Sequence, residues 1–445
     1  MENNHDLTKG NVFSVLTRFA VPFLLANLLQ TMYGAVDLIV VGKFSDAAGV
    51  SAVATGSQVM QTITGIILGL STGGTVLIGQ YLGAKREKDV AKTMGTIIYS
   101  FATLAGIFTV IMLILTRSIV SVVNAPVEAV KFTTQYIFIC SLGIPLIVGY
   151  NTVCAILRGL GDSRSPLYFV AAACTFNIAG DLVLAGVFKM GAAGVAIATI
   201  AAQGISLIIA IVFLKKKGFS FEFNKSYIKF DREKAKKIFK IGVPIALQDG
   251  LVNISFIIIT AIINSMGVLA SASVGVVEKI IVFTMLPASS FASAIAAMTA
   301  QNIGAKKLDR AKKCLYCGIG TSLVFAVFFC VTAQIKPTLF TAIFASDPKI
   351  VNMAGEYFKS YSIDCILVSF VFCMNSFFSG CGHSTFPMVH SLIATFFVRI
   401  PGSYLLSRTA GVTLYKMGFV APLSTLLSLI ICIIYMRFAK LEESL

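Results

Sequence analysis

Between Pro166 and Phe188 the chain reads PLYFVAAACTFNIAGDLVLAGVF, an apolar run whose strongly polar members are Asn177 and Asp181. A helix rises about 1.5 Å per residue and the hydrocarbon of a bilayer is about 30 Å thick, so this run is long enough to cross it. Four residues make about one turn, which puts Asn177 and Asp181 on one face. Holding a carboxylate in lipid costs roughly 2.5–3.5 kcal/mol even on the gentler insertion scale, and such groups by default mark an ion or substrate path. The bland alternative is that both only hydrogen-bond neighbouring helices. A second carboxylate, Asp37, lies in the first apolar run.

The surrounding chain has the same character. Of its 445 residues, 57% are hydrophobic and 13% charged, where a soluble domain carries about 25% charge. The first residues, MENNHD, are polar and not basic, and no small-residue cleavage site follows a short apolar core, so the first apolar run is expected to stay as a membrane helix. Twelve runs qualify as spans, at roughly 17–41, 52–80, 94–116, 130–157, 166–188, 191–214, 240–264, 270–298, 315–335, 350–378, 386–407 and 413–436. Pro22, Pro145, Pro244, Pro287 and Pro401 interrupt them, which membrane helices tolerate. The runs are longer and more continuous than the alternating ten-residue segments of a barrel, so an all-α fold is indicated.

Formal net charge is +16, but its distribution speaks for topology and against nucleic acid. With the N-terminus inside, the inner segments hold 25 Lys and Arg against 9 outside, and both termini are cytoplasmic in a cell (inner) membrane. The longest inner segment, 215–239, opens on Lys215-Lys216-Lys217 and alternates Phe219, Phe221 and Phe223. It reads as a basic linker at the anionic leaflet, with Asp231 capping a helix that leads into the seventh span. The ten cysteines are scattered, and the single CxxC at Cys314 and Cys317 lacks a second pair, so no zinc site is expected.

An internal repeat with a period of about 222 organises the spans. Phe19-Ala20-Val21-Pro22 returns as Ile241-Gly242-Val243-Pro244, and Gly79-Gln80-Tyr81-Leu82-Gly83-Ala84-Lys85 as Ala300-Gln301-Asn302-Ile303-Gly304-Ala305-Lys306. Ala125-Pro126 returns as Asp347-Pro348. Arg158-Gly159-Leu160-Gly161-Asp162-Ser163 returns as Ser379-Gly380-Cys381-Gly382-His383-Ser384, and Pro166 as Pro387. Each half has six spans, so the repeats are parallel. The fold read from these features is an all-α polytopic membrane protein, with twelve transmembrane helices in two pseudo-symmetric six-helix lobes. The expected divisions are 1–214 for the N-terminal lobe, 215–239 for the linker, 240–437 for the C-terminal lobe and 438–445 for a cytoplasmic tail.

These residues resemble the multidrug and toxic compound extrusion (MATE) transporters, over essentially the whole chain. The likeness rests on length, on twelve spans, on the two Gln-containing loops at Gln80 and Gln301 and on Arg158-Gly159-Leu160-Gly161-Asp162 after the fourth span. It implies a V of two six-helix lobes around a cavity, exporting organic cations and other amphiphiles in exchange for Na⁺ or H⁺. It implies small-molecule partners, a monomer in the bilayer and no cofactor beyond the coupling ion. The pattern of the DinF-like branch falls on Asp37, Asn177, Asp181 and Thr199, with Gln30 two turns before Asp37 and a looser match at Asn151. Their oxygens are hard donors suited to Na⁺, while burial and a like-charged neighbour favour a protonated carboxyl; both ions remain open. In the same family a bend at the proline matching Pro22 has been proposed to accompany protonation, a proposal that is disputed.

The C-terminal half holds Asp249, Glu278 and Asp364, with Lys279 and Arg399 as candidate partners. Pairing of Arg399 with a carboxylate is favoured over a substrate role, whereas Asp37 and Asp181 have no basic residue in their lobe's spans. The NorM-like branch places an acid where this chain has Val252, so Asp249, Glu278, Asp364 and Arg399 rank as secondary candidates. His383 occupies the turn position of Asp162 in the repeat and reads as a turn residue. The alternative reading is a MATE-related flippase for a lipid-linked sugar, which would want several basic cavity residues. No HExxH, GxSxG or DDxxD pattern supports an intramembrane enzyme. Acids confined to one lobe suit alternating access better than a passive pore.

Overall fold

The computed structural model describes residues 6–123, 125–219 and 221–439; the expected tail at 438–445 therefore lies mostly outside the described residues. The elements are helical throughout: α1 (Val12–Phe44), α2 (Ala47–Gly83), α3 (Glu87–Val122), α4 (Val130–Leu142), α5 (Ile144–Gly159), α6 (Arg164–Asp181), α7 (Gly191–Lys217) and α8 (Arg232–Asn264). Then come α9 (Val268–Gly304), α10 (Leu308–Ile335), the short α11 (Thr338–Thr341), α12 (Pro348–Gly380), α13 (Thr385–Ala394), α14 (Ile400–Ser407), α15 (Leu414–Gly418) and α16 (Val420–Phe438). Among the described residues eleven helical stretches are long and apolar enough to span. The pair α4 and α5, bent by 49° at Gly143, makes the twelfth if it is one span. The expected runs are thus present, but several helices outgrow them. At 37 residues each, α2 and α9 extend about 55 Å, well beyond the hydrocarbon.

The repeat survives as matched backbone geometry. Lys85 and Lys306 both adopt the left-handed conformation, with φ of 56° and 57°. In each turn an amide reaches back five residues, Arg86 to the Tyr81 carbonyl and Lys307 to that of Asn302, which closes the helix end. The second matched turn does the same through Asp162 to Leu157 and His383 to Phe378. There Gly161 and Gly382 supply the positive φ, at 86° and 90°.

Two compact units emerge, one built on Leu25–Ala246 and the other on Asp6–Leu24 with Leu247–Leu445. Where the sequence suggested divisions at 214 and 240, the linker and the first turns of α8 belong to the first unit, and the first turns of α1 to the second. Close packing explains the α8 assignment. A Cβ on Gly242 would stand 2.5 Å from the Leu70 carbonyl oxygen, and one on Gly69 would stand 2.6 Å from the Ala246 Cα. Small residues let helix backbones approach where lipid leaves no hydrophobic drive to associate. In the second unit Leu16, Phe19, Ala20 and Phe23 instead join a core with Phe291, Ile295 and Met298. Each crossing follows a proline by two residues, Pro22 in α1 and Pro244 in α8. Pro22 sits well inside α1, so it is not a helix-start residue.

At the basic end of the first unit, buried Asp162 accepts from the Lys217 Nζ at 2.6 Å, the Ser165 Oγ at 2.6 Å and the Ser165 amide at 3.0 Å. Burial would raise its carboxyl, but these bonds outweigh burial and hold it below the ordinary carboxylate value. A folded-state value below the unfolded one adds stability above the unfolded value, and that stability is lost as pH falls through the folded value. Asp162→Asn is expected to destabilise the fold near neutral pH by about 1–3 kcal/mol. It should also flatten the acid side of a thermal-unfolding series in detergent across pH, which checks it.

Candidate functional site

The N-terminal candidates converge inside the first unit. Asp37 on α1, Asn177 and Asp181 on α6 are all buried, with Asp181 fully inaccessible. The Asp37 carboxyl stands beside those of Asp181 and the Asn177 amide. Asn177 donates from Nδ2 to the Thr199 hydroxyl on α7 at 3.4 Å, and Thr199 donates to the Val195 carbonyl at 2.9 Å. The α-helix gives way to a π-helical turn, Leu182–Val187, directly after Asp181. Such turns are often found at functional sites.

With both acids ionised, four buried oxygens here find no donor, Asp37 Oδ1, Asn177 Oδ1 and both oxygens of Asp181; a proton would let Asp37 and Asp181 bond to each other. Among the described residues the ion pairs are Lys9–Asp6, Arg86–Asp89, Lys217–Asp162, Lys234–Asp89 and Lys237–Glu233, and none reaches these acids. Two adjacent carboxylates in a low-dielectric site cannot both stay ionised without a cation. The donor set of two carboxylates and a carboxamide, with a hydroxyl alongside, fits either a proton or a hard monovalent cation.

Gln30 joins the site indirectly. The Tyr33 hydroxyl adjoins the side chains of Gln30 and Gln203, and its ring neighbours Asp37. Tyr33 and Gln203 are absent from the sequence-derived set, although spacing held the signal. Tyr33 precedes Asp37 by four residues and Gln203 follows Thr199 by four, so each shares a helix face with a named candidate. Asn151 is buried, but its Nδ2 donates to the Ile147 carbonyl of its own helix at 2.8 Å. Among the described residues it makes no hydrogen bond to either acid.

The second unit's candidate acids are Glu278, Asp364 and Asp249. Glu278 accepts from the Thr260 hydroxyl at 3.0 Å. Asp364 is buried with Oδ1 unpartnered, while Asp249 is exposed. Arg399, expected to pair with a carboxylate, makes no direct ion pair among the described residues, although its charge reaches Glu278 and Asp364. Its guanidinium lies over the Phe256 ring, 4.2 Å from the centroid, where a planar, weakly hydrated cation packs well. His383 is in its turn and shares a 2.8 Å hydrogen bond with the Tyr435 hydroxyl. His390 is buried against Asn375 at 2.8 Å.

Comparison with known proteins follows the same lines. The sequence model of the MatE family matches residues 22–183 and 244–405, two stretches offset by 222 that begin at the paired prolines. The chain is 26% identical over 438 residues to the probable multidrug resistance protein YoeA of Bacillus subtilis, covering 97% of this chain and 95% of that one. It is 22% identical to the multidrug export protein MepA of Staphylococcus haemolyticus, covering 91% and 89%. Its fold matches a structure described as the outward-facing conformation of a multidrug resistance MATE family transporter, with a TM-score of 0.90, 19% identity and 99% of both chains covered. With a buried polar site inside a two-copy helical repeat and both copies of the family pattern in register, the chain belongs to the MatE family of multidrug efflux transporters.

Proposed function

We propose that this transporter exports organic cations or amphiphilic drugs in exchange for H⁺ or Na⁺. The coupling cation is bound by Asp37, Asp181, Asn177 and Thr199, with Gln30 in support. The observation that carries the reading is the group of four unpartnered buried oxygens on Asp37, Asn177 and Asp181. An incoming cation supplies the missing positive charge. A departing one leaves the carboxylates exposed to mutual repulsion unless the site changes shape or takes a proton. Ion binding then biases two shapes of the transporter only by its differential affinity for them. The protein works as a monomer in the cell membrane with both termini cytoplasmic.

Asp37→Asn and Asp181→Asn are each expected to insert normally yet lose coupled export. Replacing a charged ligand with a neutral one should weaken cation binding at least about ten-fold, roughly 1.4 kcal/mol. Dye efflux from vesicles carrying imposed Na⁺ and pH gradients, each collapsed in turn, reads both coupling and its ion. Full efflux by both variants would transfer the site to Asp249, Glu278 or Asp364.

Pro22 is proposed as the bend point of α1. A proline in a helix interior removes one backbone bond and strains the preceding turn. It lies fifteen residues before Asp37, about 22 Å along the helix, and two residues before α1 changes unit. Pro22→Ala should leave cation binding nearly intact and slow turnover severalfold. Export at the parent rate would show that the units move without bending α1.

Orientation has its own test. Nine of the ten cysteines are buried and Cys317 is half-buried, so background labelling should be low. An impermeant maleimide should reach Lys216→Cys from the cytoplasmic side and Lys43→Cys from outside. The reverse pattern would invert the topology.

A further inference from the structure

The linker between α7 and α8 is not a free chain. Phe219 stacks on Phe221 and meets Phe223 edge-on, each with centroids 5.5 Å apart, and Phe223 stacks on Tyr227 at 6.2 Å. These phenylalanines pack against the core of the first unit. The Asn224 side chain caps the turn Lys225–Tyr227, accepting from the Ser226 amide at 3.0 Å. Asp231 caps α8, accepting from the Glu233 and Lys234 amides at 3.0 and 3.1 Å. Buried Lys234 then donates to the Tyr81 hydroxyl at 2.9 Å and to Asp89 at 2.7 Å.

Where this folded linker sits matters more. On α3 the exposed side chains Tyr99, Ile107, Val110, Ile111 and Ile114 form one stripe along the helix, spaced as a lipid-facing surface is. One turn before Tyr99 the stripe should continue through Gly95 and Thr96, but both are buried. The Tyr227 carbonyl lies against Gly95, in space that any larger residue's Cβ would need. The linker thus covers the basic end of the lipid-facing stripe. Its own outer side is apolar at the edge of that stripe. Phe230, 54% exposed, lies 6.1 Å from the Tyr99 ring, and Ile228 is 40% exposed. Around them Lys225, Lys229 and Arg232 are exposed, and among the described residues none forms an ion pair. Segment 215–240 holds ten basic and three acidic residues.

We infer that the segment Lys225–Arg232 is a preformed membrane-surface anchor. It seats Phe230 and Ile228 beside Tyr99 at the headgroup level, and it selects anionic phospholipid through Lys225, Lys229 and Arg232. Aromatic side chains favour that depth. Basic residues near an anionic leaflet each gain affinity, about five-fold apiece. Because the linker is fixed to α3 and to Tyr81 beforehand, lipid binding has little chain entropy to overcome.

The chain contains no tryptophan, so Phe230→Trp introduces a single indole reporter, with Ile228→Trp as the second if the first folds poorly. The full-length protein is placed in nanodiscs of phosphatidylcholine with or without phosphatidylglycerol, either lipid carrying bromine in its acyl chains. The expected result is blue-shifted emission, quenching by both brominated lipids and stronger quenching per molecule by the brominated phosphatidylglycerol. Adding Lys225→Gln, Lys229→Gln and Arg232→Gln together should abolish that preference and keep the blue shift. Water-like emission that aqueous iodide quenches freely would place the linker outside the bilayer and overturn the anchor. Equal quenching by the two lipids in the parent reporter would overturn the selection of anionic headgroups.

Discussion

Inside a bilayer there is no water to take up an unmet hydrogen bond, and the structure is governed by that constraint. The backbone responds by closing every span into a helix. Hydroxyl side chains respond by bonding back to the carbonyl one turn earlier, as Thr64 does to Met60, Thr109 to Ala105, Thr116 to Met112 and Thr152 to Val148. Single unpartnered atoms occur elsewhere among the described residues, as at Ser71, Thr299 and Asp364, but Asp37, Asn177 and Asp181 gather four of them on neighbouring side chains. A fold that only needed those helices to pack could have used leucine there at no desolvation cost. Polar atoms retained in hydrocarbon without partners point to something that arrives from outside the chain.

The same constraint shapes how α1 and α8 divide their lengths between the two compact units. With lipid tails as apolar as the helices, close approach rests on small residues. Gly69 and Gly242 provide it where the first turns of α8 meet α2. A continuous helix that begins in one unit and ends in the other must tolerate different surroundings along its length. Pro22 and Pro244 remove one backbone hydrogen bond each, two residues before the change. Their recurrence at a spacing of 222 ties the break to the architecture and not to an accident of one helix.

Much of this was legible in the sequence because the signals are local. Twelve apolar runs announce the spans, and the matched stretches at Gln80 and Gln301, which end α2 and α9, announce matched turns whose φ values agree within a degree at Lys85 and Lys306. Isolated acids in apolar runs announce the candidate site. What the sequence hid depends on three-dimensional approach. The overlength of α2 and α9 follows from uncharged end turns, such as Ala47-Ala48-Gly49 and Ala300-Gln301-Asn302, that stay helical beyond the hydrocarbon. Tyr33 and Gln203 were passed over because a single tyrosine or glutamine in a span is unremarkable until a carboxylate faces it. Arg399 looked like half of an ion pair because charge counting cannot see that Phe256 offers it a flat apolar face. The linker's aromatic alternation was visible, but the burial of Gly95 beneath Tyr227 was not.

The two units share a backbone plan without sharing chemistry. Gly159 packs against the Thr75 carbonyl of α2, and Gly380 packs against the Ala296 carbonyl of α9, each at 2.8 Å from where a Cβ would be. These contacts are a repeat apart and do the same work in both units. The acids are not treated so. The position 222 after Asp37 is Ile259, buried in an apolar core, and the position 222 after Asp181 is Ser403, also buried. Glu278 in the second unit arises at a place with no acidic counterpart and already has the Thr260 hydroxyl. If the buried acids were needed for folding, the repeat would require them twice, since both copies solve the same packing problem. The second copy solves it with an isoleucine and a serine. The repeat's packing therefore does not demand the pair in the first unit, which supports the coupling role proposed for it.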